Sequence, residues 1–305
     1  MIQLILATGF LGAGKTTLVK QIIDTYKTYK IGVIVNEFGE INVDGALLTQ
    51  EGVQMAELSN GSIFCACIKD KFVDSLIQMT LRDLDYVFIE ASGLADPSSM
   101  QQILNGIAHK VLNPYDYKGS ICVVDGQSFL DLIEVLPAIT SQLEFSGAVI
   151  VNKADLVDEE QLQAVFERVE EINDHATIYV TNHCSVDIEQ VVSQLHVPTL
   201  DSRPTTNTFA NRPACFVAKG TEIMSYEALE LFLAELLPHT YRMKGFVKTD
   251  RGDMEISTVG NNLQLLPWSE PLEQNQLVVI SAVGIKMMSL LTKAIATHAQ
   301  GKLKL

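Results

Sequence analysis

The chain has 305 residues, 47% of them apolar, so it can bury one large core or a large and a small one. Its formal charge of −15 argues against nucleic acids and anionic membranes as partners, because both attract basic surfaces. The five cysteines have no regular spacing, which does not indicate a disulfide framework and favours a cytoplasmic location. No apolar run has the length of a membrane span, and with a strand predicted from Ile2 we expect no cleaved presequence.

The first two thirds of the chain alternates short apolar runs with helical patterns. This alternation predicts an α/β domain over residues 1–200, in which a doubly wound, mostly parallel sheet is covered by helices on both faces. The predicted strands are Ile2–Ala7, Ile31–Asn36, Tyr86–Glu90, Ser120–Asp125, Ala148–Val151 and Thr177–Val180. The predicted helices are Lys15–Tyr29, Lys69–Arg82, Pro97–His109, Asp158–Ile172 and Asp187–Leu195.

The pattern changes near residue 200. Three prolines, Pro198, Pro204 and Pro213, stand among Thr, Ser and Asn, and this composition predicts a linker over residues 201–212. Several adjacent strands and two helices then predict a small α+β domain over residues 213–305. The strands are expected at Ala214–Lys219, around Phe246, and at Met254–Val259, Leu263–Pro267 and Leu277–Ala282, and the helices at Ser225–Leu236 and Ile285–His298.

A glycine-rich segment from Gly9 to Thr16 follows the first predicted strand and opens the first predicted helix. Its sequence, G-F-L-G-A-G-K-T, fits the Walker A pattern of P-loop NTPases in full and in the structural context that the motif requires. In such a loop, backbone amides and the helix N-terminus bind phosphate groups. Lys15 is expected to reach the β- and γ-phosphates, and the Thr16 hydroxyl to bind Mg²⁺. The predicted phosphate-binding residues are Gly9, Gly12, Ala13, Gly14, Lys15, Thr16 and Thr17.

A second motif, Asn152-Lys153-Ala154-Asp155, ends a predicted strand in the pattern N-K-x-D. The Asp155 carboxylate can accept hydrogen bonds from guanine N1–H and from the exocyclic amine together, a donor pair that adenine lacks. Asn152, Lys153 and Asp155 are therefore predicted to select GTP over ATP. Thr181–His183, after the next strand, either completes the base pocket or is a plain loop.

Two further loops follow predicted strands and carry acidic residues. Glu90 ends an apolar strand, where a carboxylate is expected to hold Mg²⁺ through water, and the backbone amide of Gly93 is placed to sense the γ-phosphate. Lys15, Thr16 and Glu90 are the predicted catalytic residues. The segment Val35–Asp44 carries three carboxylates and is either a nucleotide-dependent switch or a solvated acidic loop.

Cys65 and Cys67 are two residues apart, so in an extended chain their side chains share a face. They can then present two thiolates to one soft or borderline metal ion, with Glu37, Glu40, Asp44 or a histidine adding further ligands. The alternative is that the two cysteines are near one another by chance.

Taken together, these motifs resemble the CobW-like branch of P-loop GTPases, which includes cobalamin-biosynthesis-associated proteins and zinc metallochaperones. The similarity extends through G-F-L-G-A-G-K-T-T, V-N-E-F-G-E-I, E-L-S-N-G, I-E-A-S-G-L-A-D-P, V-V-D-G and V-N-K-A-D to L-P-H-T-Y-R-M-K-G-F-V beyond the linker. The resemblance implies a P-loop NTPase domain followed by a small CobW-like C-terminal domain. It also implies hydrolysis of GTP with Mg²⁺, and delivery of a metal, typically Zn²⁺ or Co²⁺, to a client protein. Because no arginine precedes Arg82 and no glutamine stands in the Gly93 loop, we expect this hydrolysis to be slow in the isolated protein.

The expected metal motif of that family is Cys-x-Cys-Cys after Asn-Gly, and this chain departs from it. Cys65 and Cys67 supply two thiolates at most, and Glu37, in the family's Asn-Glu-Phe-Gly, is the residue expected to compensate. Two rival functions stay open: a GTP-dependent chaperone for a metal- or corrinoid-dependent client that holds no metal itself, and a P-loop kinase acting on a small molecule. A homodimer is also left open, because a client, a metal or a second subunit is expected to complete the catalytic site.

Overall fold

The computed structural model describes residues 1–37, 54–59, 69–93, 95–134, 136–199, 214–259, 262–269, 272 and 274–305. The chain divides into two compact units, Met1–Asn211 and Arg212–Leu305. The linker predicted over residues 201–212 lies outside the described residues, as do Cys65 and Cys67, so those expectations stay predictions.

Unit 1 is built on a seven-stranded sheet in which every pair of neighbouring strands is parallel. The strands are β1 (Ile2–Gly9), β2 (Ile31–Glu37), β3 (Gln54–Ser59), β4 (Tyr86–Glu90), β5 (Tyr115–Asp125), β6 (Ala148–Asn152) and β7 (Thr177–Val180). Their order across the sheet is β3-β2-β4-β1-β5-β6-β7, so β1 is central and β4 and β5 lie beside it. In a parallel sheet all carboxyl ends meet at one edge, where ligands of such folds bind.

Helices cover both faces of this sheet. They are α1 (Lys15–Thr25), α2 (Lys69–Met79), α3 (Met100–Ile107), α4 (Phe129–Ile133), α5 (Pro137–Glu144), α6 (Glu159–Ile172) and α7 (Ile188–Gln194). Alternate residues of β1 serve opposite faces: Ile5 packs in a cluster with residues of α1 and α7, and Leu4 in a cluster with residues of α2 and α3. The predicted doubly wound α/β fold is therefore confirmed.

Unit 2 is a five-stranded antiparallel sheet with helices packed against it. Its strands are β8 (Cys215–Gly220), β9 (Thr240–Thr249), β10 (Gly252–Val259), β11 (Asn262–Pro267) and β12 (Asn275–Ser281), and its helices are α8 (Tyr226–Leu236) and α9 (Met287–Ala294). The strand order is β11-β10-β9-β12-β8. Phe232 and Leu233 of α8 and Leu291 of α9 are buried against the sheet in one hydrophobic cluster, as expected for the predicted α+β domain.

Two strands of unit 1 differ most from the sequence prediction. Strand β3 was not predicted, because its sequence Q-M-A-E-L-S lacks the β-branched and aromatic residues typical of strands. Strand β5 begins at Tyr115 rather than Ser120, since its polar first half pairs with β1 through a register shift next to Gly119. Among the helices of the described residues, none combines the length and hydrophobicity that a membrane span requires.

Candidate nucleotide-binding site

The loop between β1 and α1 has a backbone that requires glycine. Gly9, at the end of β1, has a φ of 128°, and a Cβ atom there would lie 2.2 Å from the carbonyl oxygen of Val123 on β5. Gly14 caps α1 with a φ of 119°, and a Cβ atom there would lie 2.5 Å from the Asn152 amide nitrogen. Since L side chains rarely adopt such φ values, both positions are restricted to glycine. Helix α1 then begins at Lys15, so its N-terminus faces this loop.

Lys15 is buried, and its Nζ atom donates to the carbonyl oxygen of Phe10 over 2.9 Å. The Thr16 hydroxyl donates to Oε1 of Glu90 over 2.7 Å. Glu90 is buried at the end of β4, where its backbone is in register with Ala7 of β1. The two residues that the sequence assigned to Mg²⁺ are therefore in direct contact, although they are 74 positions apart in the chain.

The loop after β4 packs against the P-loop. A Cβ atom at Gly93 would lie 2.5 Å from the backbone nitrogen of Leu11, so the absence of a side chain permits this approach. On its other side the loop accepts two hydrogen bonds from the Nε2 atom of Gln142, which reach the carbonyl oxygens of Gly93 at 3.2 Å and Ala95 at 2.9 Å. Asp96 follows and caps a short 3₁₀ turn by accepting from the Ser98 backbone amide.

Asn152, at the carboxyl end of β6, joins two loops through its side-chain amide. Its Nδ2 atom donates to the carbonyl oxygen of Ala13 in the P-loop over 2.8 Å, and its Oδ1 atom accepts from the backbone amide of Cys184 over 2.8 Å. The next residue, Lys153, has a left-handed backbone with a φ of 62°, and its Nζ atom pairs with the buried Asp125 carboxylate over 2.6 Å.

The Asp155 side chain is exposed, and its backbone amide donates to Oδ1 of Asn182 over 2.9 Å. The loop after β7 is thereby attached to the predicted base-binding motif. The Cys184 thiol in that loop contacts the Gly14 carbonyl oxygen at 3.4 Å. Burial raises the pKa of this thiol to about 12, although Lys153 and Lys15 act in the opposite direction, so it is protonated at neutral pH.

The predicted cargo-metal residues cannot be located in the same way. Glu37 is the last residue of β2, but its side chain, like Cys65 and Cys67, lies outside the described part of the structure. Within the described residues, no group of three or more His, Cys, Asp and Glu side chains is arranged to hold a metal ion. Thr17, predicted to bind phosphate, is exposed in the first turn of α1.

Three residues of this region were missed by the sequence analysis. Asp125 had a signal, because it ends an apolar strand just as Glu90 does. Gln142 and Cys184 gave none: both lie outside the motifs and reach the site only through contacts of long sequence separation. Cys122 is buried in β5, and its burial raises the thiol pKa to about 12.

These features define a P-loop nucleotide-binding protein: a glycine-rich loop between β1 and α1, an acidic residue at the end of β4, and an N-K-x-D motif at the end of β6. The family model for the CobW/HypB/UreG nucleotide-binding domain matches residues 3–180, and that for the cobalamin synthesis protein CobW C-terminal domain matches residues 214–293. The chain belongs to the CobW/HypB/UreG family, which confirms the resemblance stated from the motifs.

Two curated relatives illustrate the family. The zinc chaperone YjiA of Escherichia coli strain K12 is 34% identical over 193 residues, which cover 61% of this chain and 59% of that protein. The zinc-regulated GTPase metalloprotein activator 1 of Dictyostelium discoideum is 27% identical over 222 residues, covering 61% of this chain and 47% of that one. The matched part is thus about half the length of these relatives. The crystal structure of Zn(II)-bound YjiA GTPase from E. coli aligns over 97% of this chain and 98% of that chain at 22% identity, with a TM-score of 0.48.

Proposed function

We propose that this protein is a GTP-binding and GTP-hydrolysing switch that delivers a divalent metal ion to a client protein. The observation that carries the nucleotide part is the double hydrogen bond of Asn152, which joins the P-loop carbonyl of Ala13 to the loop that carries Cys184. One side chain thereby sets the distance between a phosphate-binding loop and a base-binding motif. The names of the curated relatives, a zinc chaperone and a zinc-regulated GTPase activator, support the metal part.

At the phosphate end, Lys15 already donates to a carbonyl oxygen within the P-loop, so a phosphate oxygen can replace that acceptor when nucleotide binds. The Thr16 hydroxyl and the buried Glu90 carboxylate, 2.7 Å apart, form a set of hard oxygen donors that suits Mg²⁺. Thr16 would bind the ion directly and Glu90 through water. A Mg²⁺ ion held there would supply positive charge next to the phosphate groups of the nucleotide.

At the base end, the Asp155 carboxylate is exposed and its backbone is fixed by Asn182. It is therefore free to accept hydrogen bonds from the N1–H and the amine of guanine. The Lys153 side chain, directed by its pairing with Asp125, extends along the same edge of the sheet. Adenine lacks that donor pair and would leave the Asp155 carboxylate without hydrogen-bond partners. This difference is the physical basis of the proposed preference for GTP over ATP.

The cargo is a divalent ion of the Zn or Co class, held by Cys65 and Cys67 with Glu37 as the compensating carboxylate. The client is a metalloenzyme or a corrinoid-related protein, and the switch operates in the cytoplasm. With GTP bound, the loops that follow Glu37 and Glu90 would be ordered, and hydrolysis would release the cargo ion to the client.

The nucleotide assignment is tested by measuring the affinities of the full chain for GTP and ATP by calorimetry in the presence of Mg²⁺. The wild type should prefer GTP by at least about a hundredfold, and Asp155→Asn should lower that preference. Glu160→Gln, an exposed carboxylate of α6, serves as the control and should leave the preference unchanged. Equal affinity of the wild type for GTP and ATP would overturn the guanine assignment. Stoichiometric transfer of phosphate to a small molecule would favour the kinase alternative.

The metal assignment is tested by anaerobic titration of Zn²⁺ and Co²⁺ into the wild type and a Cys65→Ser/Cys67→Ser variant, each loaded with GTP or GDP. We expect one thiolate-bound ion per wild-type chain, held more tightly with GTP. By linkage, the metal must then tighten GTP binding relative to GDP by the same factor. Indistinguishable isotherms for the two proteins would instead support a GTP-dependent chaperone that holds no metal.

A further inference from the structure

Gln142 is a fully buried amide of α5 whose side chain contacts the loop after Glu90. Its Nε2 atom donates to the carbonyl oxygens of Gly93 and Ala95, two of the residues that follow β4. The sequence offers no glutamine within that loop, yet the fold brings one to it from a position 47 to 49 residues further along the chain. Within the same segment the Ala95 amide donates to the Ser92 carbonyl oxygen.

The end of α5 that carries Gln142 is held firmly. The Ser146 hydroxyl donates to the Gln142 carbonyl oxygen over 2.6 Å, and the buried Asn173 amide donates to the carbonyl oxygens of Leu143 at 2.6 Å and Ser146 at 2.8 Å. These side chains satisfy carbonyl groups that every helix leaves unpaired at its C-terminus. Gln142 therefore reaches the loop after β4 from a fixed position on α5.

Movement of that loop bears directly on the phosphate site. Gly93 approaches the backbone of Leu11 so closely that a Cβ atom would not fit. Any displacement of the Gly93 backbone therefore changes its contact with Leu11 of the P-loop. The Gly93 amide is also the group expected to bind the γ-phosphate. GDP lacks that phosphate, so an effect at Gly93 should separate GTP from GDP.

Among the buried polar atoms that make no hydrogen bond in the described part of the molecule, two concern Gln142 and this loop. They are Oε1 of Gln142 and the hydroxyl oxygen of Ser92, which immediately precedes Gly93. A buried polar group without a partner is costly, so a state of the site in which both atoms gain one is favoured. The Nε2 donor of Gln142 is therefore already hydrogen-bonded to the loop. Its Oε1 acceptor is available to the hydroxyl of Ser92, the residue that precedes Gly93.

We propose that Gln142 is a positioning residue that couples the loop after Glu90 to the γ-phosphate. When the loop after Glu90 contacts the γ-phosphate of bound GTP, the Ser92 hydroxyl donates to Oε1 of Gln142. This hydrogen bond is absent with GDP. Gln142 and Ser92 thereby increase the affinity for GTP relative to GDP and hold the loop for hydrolysis. This inference rests on the proposed GTPase function.

The test is a double-mutant cycle in the full chain with Gln142→Met, Ser92→Ala and the combined variant. Affinities for GDP and for the slowly hydrolysed analogue GTPγS are measured with Mg²⁺, together with the kcat and KM of GTP hydrolysis. Gln142→Met should lower the GTPγS affinity and kcat by about tenfold and change the GDP affinity by less than about twofold. The two substitutions should be non-additive with GTPγS and additive with GDP.

Gln161 offers a matched control. It also donates from Nε2 to two loop carbonyls, those of Gly126 at 3.2 Å and Gln127 at 3.1 Å, but that loop follows β5. Gln161→Met should leave the ratio of GTPγS to GDP affinity unchanged. If Gln142→Met does not fold, Gln142→Asn, whose shorter amide cannot reach the loop, replaces it in the same cycle.

The outcomes separate this inference from the proposed function. Equal losses of GDP and GTPγS affinity with a lowered Tm would assign Gln142 a purely structural role and overturn the inference. Additive effects of the two substitutions with GTPγS would also overturn it. A wild type that binds neither nucleotide would instead refute the GTPase function itself.

Discussion

Asn152 and Cys184 are joined by a 2.8 Å hydrogen bond from the Cys184 backbone amide to the Asn152 side-chain oxygen. The same Asn152 side chain donates to Ala13, so one buried residue links the ends of β6 and β7 to the P-loop. The first residue of the N-K-x-D motif therefore helps to determine where the loop between β1 and α1 lies.

Asn152→Ala should weaken the binding of GTP and GDP alike, by at least about tenfold, because the P-loop loses the donor that positions Ala13. It should also lower the free energy of unfolding by about 1–3 kcal/mol, since a buried carbonyl and a buried amide lose their partners. Calorimetric titration and urea denaturation measure the two effects.

Unit 2 provides a matched control for this substitution. The buried Asn275 likewise bridges two backbone groups, donating to Glu222 at 2.6 Å and accepting from Lys248 at 2.8 Å. Asn275→Ala should destabilise the chain and leave both nucleotide affinities unchanged. If Asn152→Ala affected stability alone, as Asn275→Ala should, the positioning role of Asn152 would be refuted.

The buried thiols should make stability depend on alkaline pH. The ordinary thiol pKa is 9.0, and burial raises that of Cys184 to about 12. Between about pH 9 and pH 12 the unfolded chain loses this proton while the folded chain keeps it, so stability is fully present below pH 9 and falls as pH rises. The loss approaches about 1.4 kcal/mol per pH unit for one thiol. Urea denaturation at a series of alkaline pH values gives the slope.

Other buried groups contribute to the same dependence of the free energy of unfolding on pH. The contribution of Cys184 is therefore obtained by comparing the wild type with a variant that lacks it. Cys122 has a pKa raised to about 12 by burial, and burial raises the pKa values of Tyr115 and Tyr117 as well. The difference in slope between the wild type and Cys184→Ala therefore isolates Cys184. At pH 8 iodoacetamide should leave Cys122 and Cys184 unmodified in the folded protein and modify both after denaturation. Rapid alkylation of folded Cys184 would contradict its placement behind the P-loop.

The parts of this molecule that sequence reasoning predicts well are those whose signal is contiguous. Strand β4 begins and ends where predicted because four consecutive apolar or aromatic residues followed by an acidic one mark it, and the P-loop is a single run of eight residues. Helix α1 ends at Thr25, earlier than predicted, because a hydrogen-bonded turn involving Tyr26 and Tyr29 replaces its last turn. Local patterns fix an element's type more firmly than its end.

Contacts between segments that are distant in the chain could not be predicted from the sequence. The hydrogen bond between Asn152 and Ala13 spans 139 residues and that between Gln142 and Gly93 spans 49. Nothing in the local pattern of α5 distinguishes Gln142, which occupies a buried position in a short amphipathic helix, from an ordinary polar surface residue. Its role depends on the sheet order, which brings the helix next to β1 and to the loop after β4.

The rate of GTP hydrolysis is the remaining prediction. Fast hydrolysis needs positive charge where negative charge develops on the phosphate, often from an arginine. No arginine precedes Arg82 in the sequence, so the P-loop and the segment Val35–Asp44 contain none, and no glutamine stands between Gly93 and Asp96 to orient the attacking water. The isolated protein should therefore turn over well below the enzyme median of about ten per second. A client, a metal ion or a second subunit should accelerate it.

Lys15 is the one cation that the P-loop itself supplies, and it lies buried against the Phe10 carbonyl oxygen. Lys15→Ala should therefore abolish even the slow rate, because no other residue of the motif carries positive charge to the β- and γ-phosphates. Lys20→Ala, on the same helix one turn beyond the motif, is the matched control and should hydrolyse GTP as the wild type does. Single-turnover release of labelled phosphate measures the rates. The pure monomer, assayed with Mg²⁺ but without a cargo metal ion, could instead hydrolyse GTP at about ten per second or faster. That result would show that the site is complete without a partner, and the switch mechanism would then be wrong.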